Sequence, residues 1–131
     1  MNSIHLRKKN TTKWFRDLRN LICKDFEYFE NNNAKKKIKF TRSKWKKSKI
    51  KSEGGGEISI LRNGNIFEKV GVNISVVNGR LDKNFKNKIP GTKKSSKFWA
   101  SGISVVAHFQ NPKIPSLHFN TRYIITSKEW F

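Results

Sequence analysis

Cysteine is nearly missing from this 131-residue chain: Cys23 stands alone, which excludes an intramolecular disulfide and gives no reason to infer an oxidising compartment. Acidic residues are scarce, nine in all, and none falls between residues 100 and 126, where two of the three histidines lie. A Ser-His-Asp arrangement therefore lacks its orienting carboxylate there. One cysteine and three histidines, with His5 far from the others, cannot close a structural zinc site. Gly54-Gly55-Gly56 lacks the Gly-Lys-Ser/Thr that a phosphate-binding loop requires, so it is expected to act as a hinge. No stretch resembles a signal peptide, and none approaches the ~20 apolar residues of a membrane span. A soluble cytoplasmic protein without a membrane partner is the expectation.

What the chain has in excess is positive charge: 29 Lys and Arg give a net +20. Such a field favours anionic partners, whether nucleic acid, acidic membrane or a polyanionic small molecule. Lys, Asn and Ile are abundant together, however, as AT-rich codon usage produces, so the charge alone selects no partner. Apolar residues make up 35%, below the roughly 45–50% of ordinary globular chains. Aromatic residues at 12% nevertheless argue for a packed core rather than disorder. The length suits one domain burying about two-thirds of its unfolded surface.

Thr11 and Thr12 precede a helical stretch, Lys13 to Glu30, and either can cap its first amides. Trp14, Phe15, Leu18, Leu21, Ile22, Phe26 and Phe29 recur at three- and four-residue steps and predict one apolar stripe, interrupted by Asp25. Cys23 lies outside that stripe and reads as a bystander thiol. Residues 31–56 read as a basic linker. Within them the lysines of residues 35–51 interleave with Phe40 and Trp45, the raw form of a nucleic-acid-binding segment. From residue 57 the period changes to two. Ile58 and Ile60 alternate with polar residues, Asn63-Gly64 marks a tight turn, and Val70, Val72, Ile74 and Val76 alternate with Gly71, Asn73 and Ser75. Residues 81–97 are basic and loop-like around Pro90-Gly91. A helix followed by successive strands without crossover helices predicts an α+β fold with an antiparallel sheet.

The last two strands carry the chemistry. Ser104, Val106 and His108 share one face of the first, and His118, Asn120 and Arg122 share one face of the second. If the two pair, Ser104, His108, His118, Asn120 and Arg122 form one cluster. Arg122 offers a planar fork for a carboxylate, Asn120 and Ser104 add neutral hydrogen bonds, and the two imidazoles can move protons or ligate a divalent metal.

The ordered segments G-G-G-E-I-S-I-L-R-N-G-N-I-F-E-K-V-G-V-N-I-S-V-V-N-G, F-W-A-S-G-I-S-V-V-A-H and N-P-K-I-P-S-L-H-F-N-T-R-Y resemble the amino-terminal half of oxygen-dependent coproporphyrinogen III oxidase. The helix around W-F-R-D-L-R-N-L-I-C is similar to that family's opening helix. The resemblance runs from about Lys13 to the last residue. It implies a large antiparallel sheet flanked by helices, forming a homodimer. The implied reaction is the dioxygen-dependent oxidative decarboxylation of two propionates of coproporphyrinogen III to vinyls, giving protoporphyrinogen IX in haem synthesis. Residue by residue, the resemblance implies substrate contacts at Ser104, Asn120, Thr121 and Arg122, a proton donor at His118, and metal-ligand positions at His108 and His118. His108-Phe109 and Gln110 depart from the usual histidine-proline and basic residue, and Val77-Asn78-Gly79 departs from the common V-H-G. Two further metal-position histidines, a carboxyl-terminal substrate loop and the dimerisation segment have no counterpart here. The expectation is thus a single incomplete domain over residues 1–131, a truncated oxidase with little or no activity alone. A separately encoded carboxyl-terminal half is a candidate partner.

Overall fold

The computed structural model describes residues 3–85 and 88–131. One helix, α1 (Ser3–Asn31), covers one face of a five-stranded antiparallel sheet. The strands β1 (Thr41–Lys46), β2 (Gly54–Arg62), β3 (Phe67–Arg80), β4 (Lys97–Phe109) and β5 (Leu117–Ile125) each pair with the next in sequence. The expected antiparallel α+β arrangement is thus present; β1 is a strand that alternation did not suggest, and the residues from Phe67 through Val77, read as two strands, run together in β3.

The helix begins ten residues before Lys13, so Thr11 and Thr12 lie inside it and do not cap it. Contacts to distant residues hold the extension in place. The Arg7 guanidinium stacks 4.5 Å from the Trp130 ring centre, and the Lys8 ammonium lies 5.6 Å from that of Trp99. The buried stripe is also narrower than expected. Phe15, Arg19, Cys23 and Glu30 are buried, with Leu18, Ile22 and Phe26 packed beside them, while Trp14, Leu21 and Phe29 are exposed. Trp14 and Leu21 sit about 100° and 120° around the helix from Phe15, too far to reach the sheet. Phe29 packs instead on Tyr28 at the helix end.

Against this stripe the sheet presents Leu61, Val70, Val72, Ile103, Val105 and Ala107, a core completed by Phe67. Each of these apart from Ala107 contributes about 1.5–3 kcal/mol on burial. The Glu30 carboxylate, at the end of α1, accepts the backbone N–H groups of Asn65, Ile66 and Phe67 and so fixes the β2–β3 turn. Asn63 in that turn has a positive φ of 55°, which Asn tolerates at little cost. A Cβ at Gly64 would strike the Glu30 carboxylate, so a side chain there would displace it from the turn amides.

The stretch expected as a basic linker contains β1, and Gly54–Gly56 open β2 rather than forming a hinge. Trp45 explains both. It pairs with Gly56, and a Cβ there would stand 2.6–2.8 Å from its ring atoms. Beyond β5 the chain turns at residues 126–129, and Phe131 exchanges two backbone hydrogen bonds with Ile124 (2.7 and 3.0 Å). Among the described residues no helix is long and apolar enough to cross a membrane.

Candidate functional site

The sheet face opposite α1 carries the polar set. Successive strand residues point to opposite faces, and the cross-strand register then fixes which side chains are neighbours. Asn73 of β3 stands opposite Ser104 of β4, and Ser104 stands opposite Asn120 of β5. One residue pair along, Gly102 faces Arg122, and Gly102 in turn pairs with Ser75. A hollow of about 160 Å³ lies here, lined by Asn73, Ser75, Gly102, Ser104, Asn120 and Arg122 among others. Ser104 and Asn73 are half-buried, whereas Asn120 and Arg122 are exposed.

His118 is paired with Val106, and His108 lies two residues further along β4, opposite Lys69. The two residues are therefore diagonal neighbours on the same face, their Cα atoms roughly 7–8 Å apart by sheet geometry. Both are exposed. The structure thus brings together the five residues that alternation had put in phase. Thr121 is the exception, since it pairs with Ile103 on the α1 side and its side chain lies across the sheet from Asn120 and Arg122. Its carbonyl borders the open face, 2.8 Å from where a Cβ on Gly102 would stand.

Catalytic zinc centres take three protein ligands. Among the described residues no group of three His, Cys, Asp or Glu is placed to hold an ion. His108 and His118 alone do not complete such a centre. The arrangement suits a carboxylate instead. Neither β4 nor β5 carries an acidic residue, and the guanidinium of Arg122 lies beside amide and hydroxyl donors.

Sequence marked Trp45 only as a ring among the lysines of residues 35–51 and did not mark Asn73 as a site residue; neither was expected on this face. Asn73 had a readable signal, its phase with Gly71 and Ser75 along β3. Nothing marked Trp45 as a sheet residue, because β1 shows no apolar alternation. The Trp45 indole Nε1 donates to Asn73 Oδ1 at 3.0 Å. Phe40 packs on the core, and its N–H donates to Glu27 Oε1 at 2.8 Å. Both rings that a base-stacking role would use are engaged within the fold.

Cys23 is buried under α1, not outside the stripe, and burial pushes its thiol above the usual range despite a hydrogen bond with Ser59. It has no access to the open face. Arg19 also serves the helix interface, where its guanidinium donates to Glu57 Oε1 at 2.5 Å and Ser59 Oγ at 3.3 Å. That bond holds the Glu57 carboxyl below the ordinary carboxylate range.

A family model described as coproporphyrinogen III oxidase matches residues 10–131. The oxygen-dependent coproporphyrinogen-III oxidases of Rickettsia africae and Rickettsia rickettsii are each 50% identical over 128 residues, covering 95% of this chain and 44% of theirs. That of Rickettsia bellii is 50% identical over 133 residues, covering 96% of this chain and 46% of its own. The chain spans less than half the length of these curated relatives.

Proposed function

The chain belongs to the coproporphyrinogen III oxidase family, and on that premise we propose that its open sheet face forms a propionate-binding wall for coproporphyrinogen III. The observation that carries this reading is the convergence of Ser104, Asn120 and Arg122, from two paired strands, on one acid-free patch. Arg122 can grip a carboxylate with two parallel N–H bonds, and Asn120 and Ser104 supply neutral donors to its remaining lone pairs. The Thr121 side chain takes no part in this wall.

The proposed reaction is dioxygen-dependent oxidative decarboxylation. Each propionate loses carbon dioxide together with one proton and two electrons, leaving a vinyl group. Dioxygen accepts the electron pair and that proton, and a second proton completes its reduction to hydrogen peroxide. His118, on the same face as Arg122, is the proposed source of that second proton. A serine, an amide and a guanidinium hold the substrate without themselves changing oxidation state, so the face is assigned to binding and orientation. The remaining length of the relatives is needed for the whole reaction. We place it in a longer form of this polypeptide or in a separately encoded half, with the assembly a homodimer, within the cytoplasm and in haem biosynthesis.

The test is equilibrium titration of the chain with coproporphyrin III, the oxidised tetracarboxylate, followed by porphyrin fluorescence. Saturable binding that weakens about tenfold or more in Arg122→Ala, equivalent to ~1.4 kcal/mol, is the expected result. Affinity indifferent to Arg122 would remove the basis of the proposal.

A further inference from the structure

The open face has a second border, on the strand furthest from Arg122. Trp45 of β1 lies half-buried over Gly56, and Gly56, Ser75 and Gly102 form a low floor between its ring and Arg122. Four interstrand spacings, about 19 Å, separate the two ends of this row. The ring is held by its single polar atom, Nε1, which donates to Asn73 Oδ1.

That bond has a directional consequence. An indole N–H donates and cannot accept, so it selects one of the two orientations of the Asn73 amide. The oxygen is turned toward β1, and the amino group is turned away from it. Among the described residues nothing accepts from that amino group. On the side away from β1, Asn73 has Ser104 as its direct cross-strand neighbour, followed by Asn120.

We propose that Asn73 is a further carboxylate-binding residue of this face and that Trp45 is its positioning residue. The inference rests on the propionate-binding reading above and extends it from two strands to four. A carboxylate offers about four lone-pair sites. The Arg122 fork, Asn120 and Ser104 fill those of one propionate, and the Asn73 amino group, on the other side of Ser104 from Asn120, is placed for a second propionate of the tetracarboxylate. Asn73 would otherwise be free to turn its amide oxygen toward the anion and repel it. The indole prevents that.

The experiment compares two probes on the 131-residue chain: coproporphyrin III and its tetramethyl ester, which keeps the macrocycle and lacks every carboxylate. Trp45→Phe keeps a ring over Gly56 but removes the N–H, and Asn73→Ala removes the amide. Asn73→Ala is expected to weaken tetracarboxylate binding about fivefold to tenfold, and Trp45→Phe about threefold, with ester binding unchanged in both. A merely structural role would shift both probes together. A readout independent of folding variants is the side-chain amide resonance of Asn73 in the unmodified chain, expected to shift on saturation with the tetracarboxylate and not with the ester. If binding depends on Arg122 while the Asn73 resonance stays still and both variants keep the wild-type probe ratio, this inference fails and the propionate-binding reading stands. If the unmodified chain shows no Arg122-dependent binding, both fail.

Discussion

Arg19 and Glu57 join the middle of α1 to β2, and only one partner of the pair is dry: the guanidinium side chain is 4% exposed and the carboxylate 22%. The asymmetry decides what each substitution does. Glu57→Ala strands a buried cation and is expected to cost about 3 kcal/mol, whereas Glu57→Gln retains an acceptor and costs about 1 kcal/mol.

The same pair sets a pH dependence. Arg19 lowers the Glu57 carboxyl below its ordinary value of 4.5, so the unfolded chain binds the proton more readily than the native one. The stabilisation is complete above pH 4.5 and is lost as pH falls through the lowered native value. Urea midpoints of wild type and Glu57→Gln should therefore converge between neutral pH and about pH 3. A gap that stayed constant over that range would contradict this assignment.

Glu30 bonds three consecutive amides of the β2–β3 turn from the end of the helix. Glu30→Ala leaves those N–H groups without their acceptor and should lower stability by about 2–4 kcal/mol. Gly64→Ala drives a methyl group into the same carboxylate and should act in the same direction. In the double variant the two losses should be less than additive, because one contact is broken twice. Strictly additive losses in denaturation would show that turn and helix end are independent.

Gly102 faces Arg122 across the β4–β5 register, and a Cβ there would lie 2.8 Å from the Thr121 carbonyl and 2.9 Å from Arg122 Cβ. Gly102→Ala should displace Arg122 and reduce coproporphyrin III affinity about tenfold, with a smaller loss of stability than Glu30→Ala. Unchanged affinity on titration would mean that the guanidinium position does not matter to binding.

Much of this face was legible because strand periodicity is rigid: one registered pair, Ser104 with Asn120, forces Arg122 and both histidines onto the same side. The same rule puts the Thr121 side chain on the other. The helix was less legible. Its first ten residues carry little apolar pattern and are held by Arg7 on Trp130 and Lys8 on Trp99, contacts that local spacing does not encode. β1 was illegible for a related reason, since Thr41–Lys46 packs a single ring and is otherwise polar, as edge strands are. Apolar identity also misled on α1, where Arg19 and Cys23 are buried and Trp14 is 62% exposed.

That last contrast is itself testable. Phe15→Ala empties part of the core under the helix and should cost about 3–5 kcal/mol. Trp14→Ala, one residue away, should stay within about 0.5 kcal/mol. Similar unfolding midpoints for the two variants would place the helix in a different rotation on the sheet.

The neighbour-to-neighbour strand order has a kinetic consequence for the binding row. Every pairing in the sheet is between consecutive strands, a topology of local hairpins that favours rapid, stepwise growth. During synthesis Asn73 arrives with β3, Ser104 with β4, and Asn120 and Arg122 only with β5. The core strands that receive α1 can dock before the guanidinium exists. A nascent chain can therefore gain its hydrophobic closure first and the proposed anion-binding row in a later, separable step, once the 110–116 loop has brought β5 onto β4.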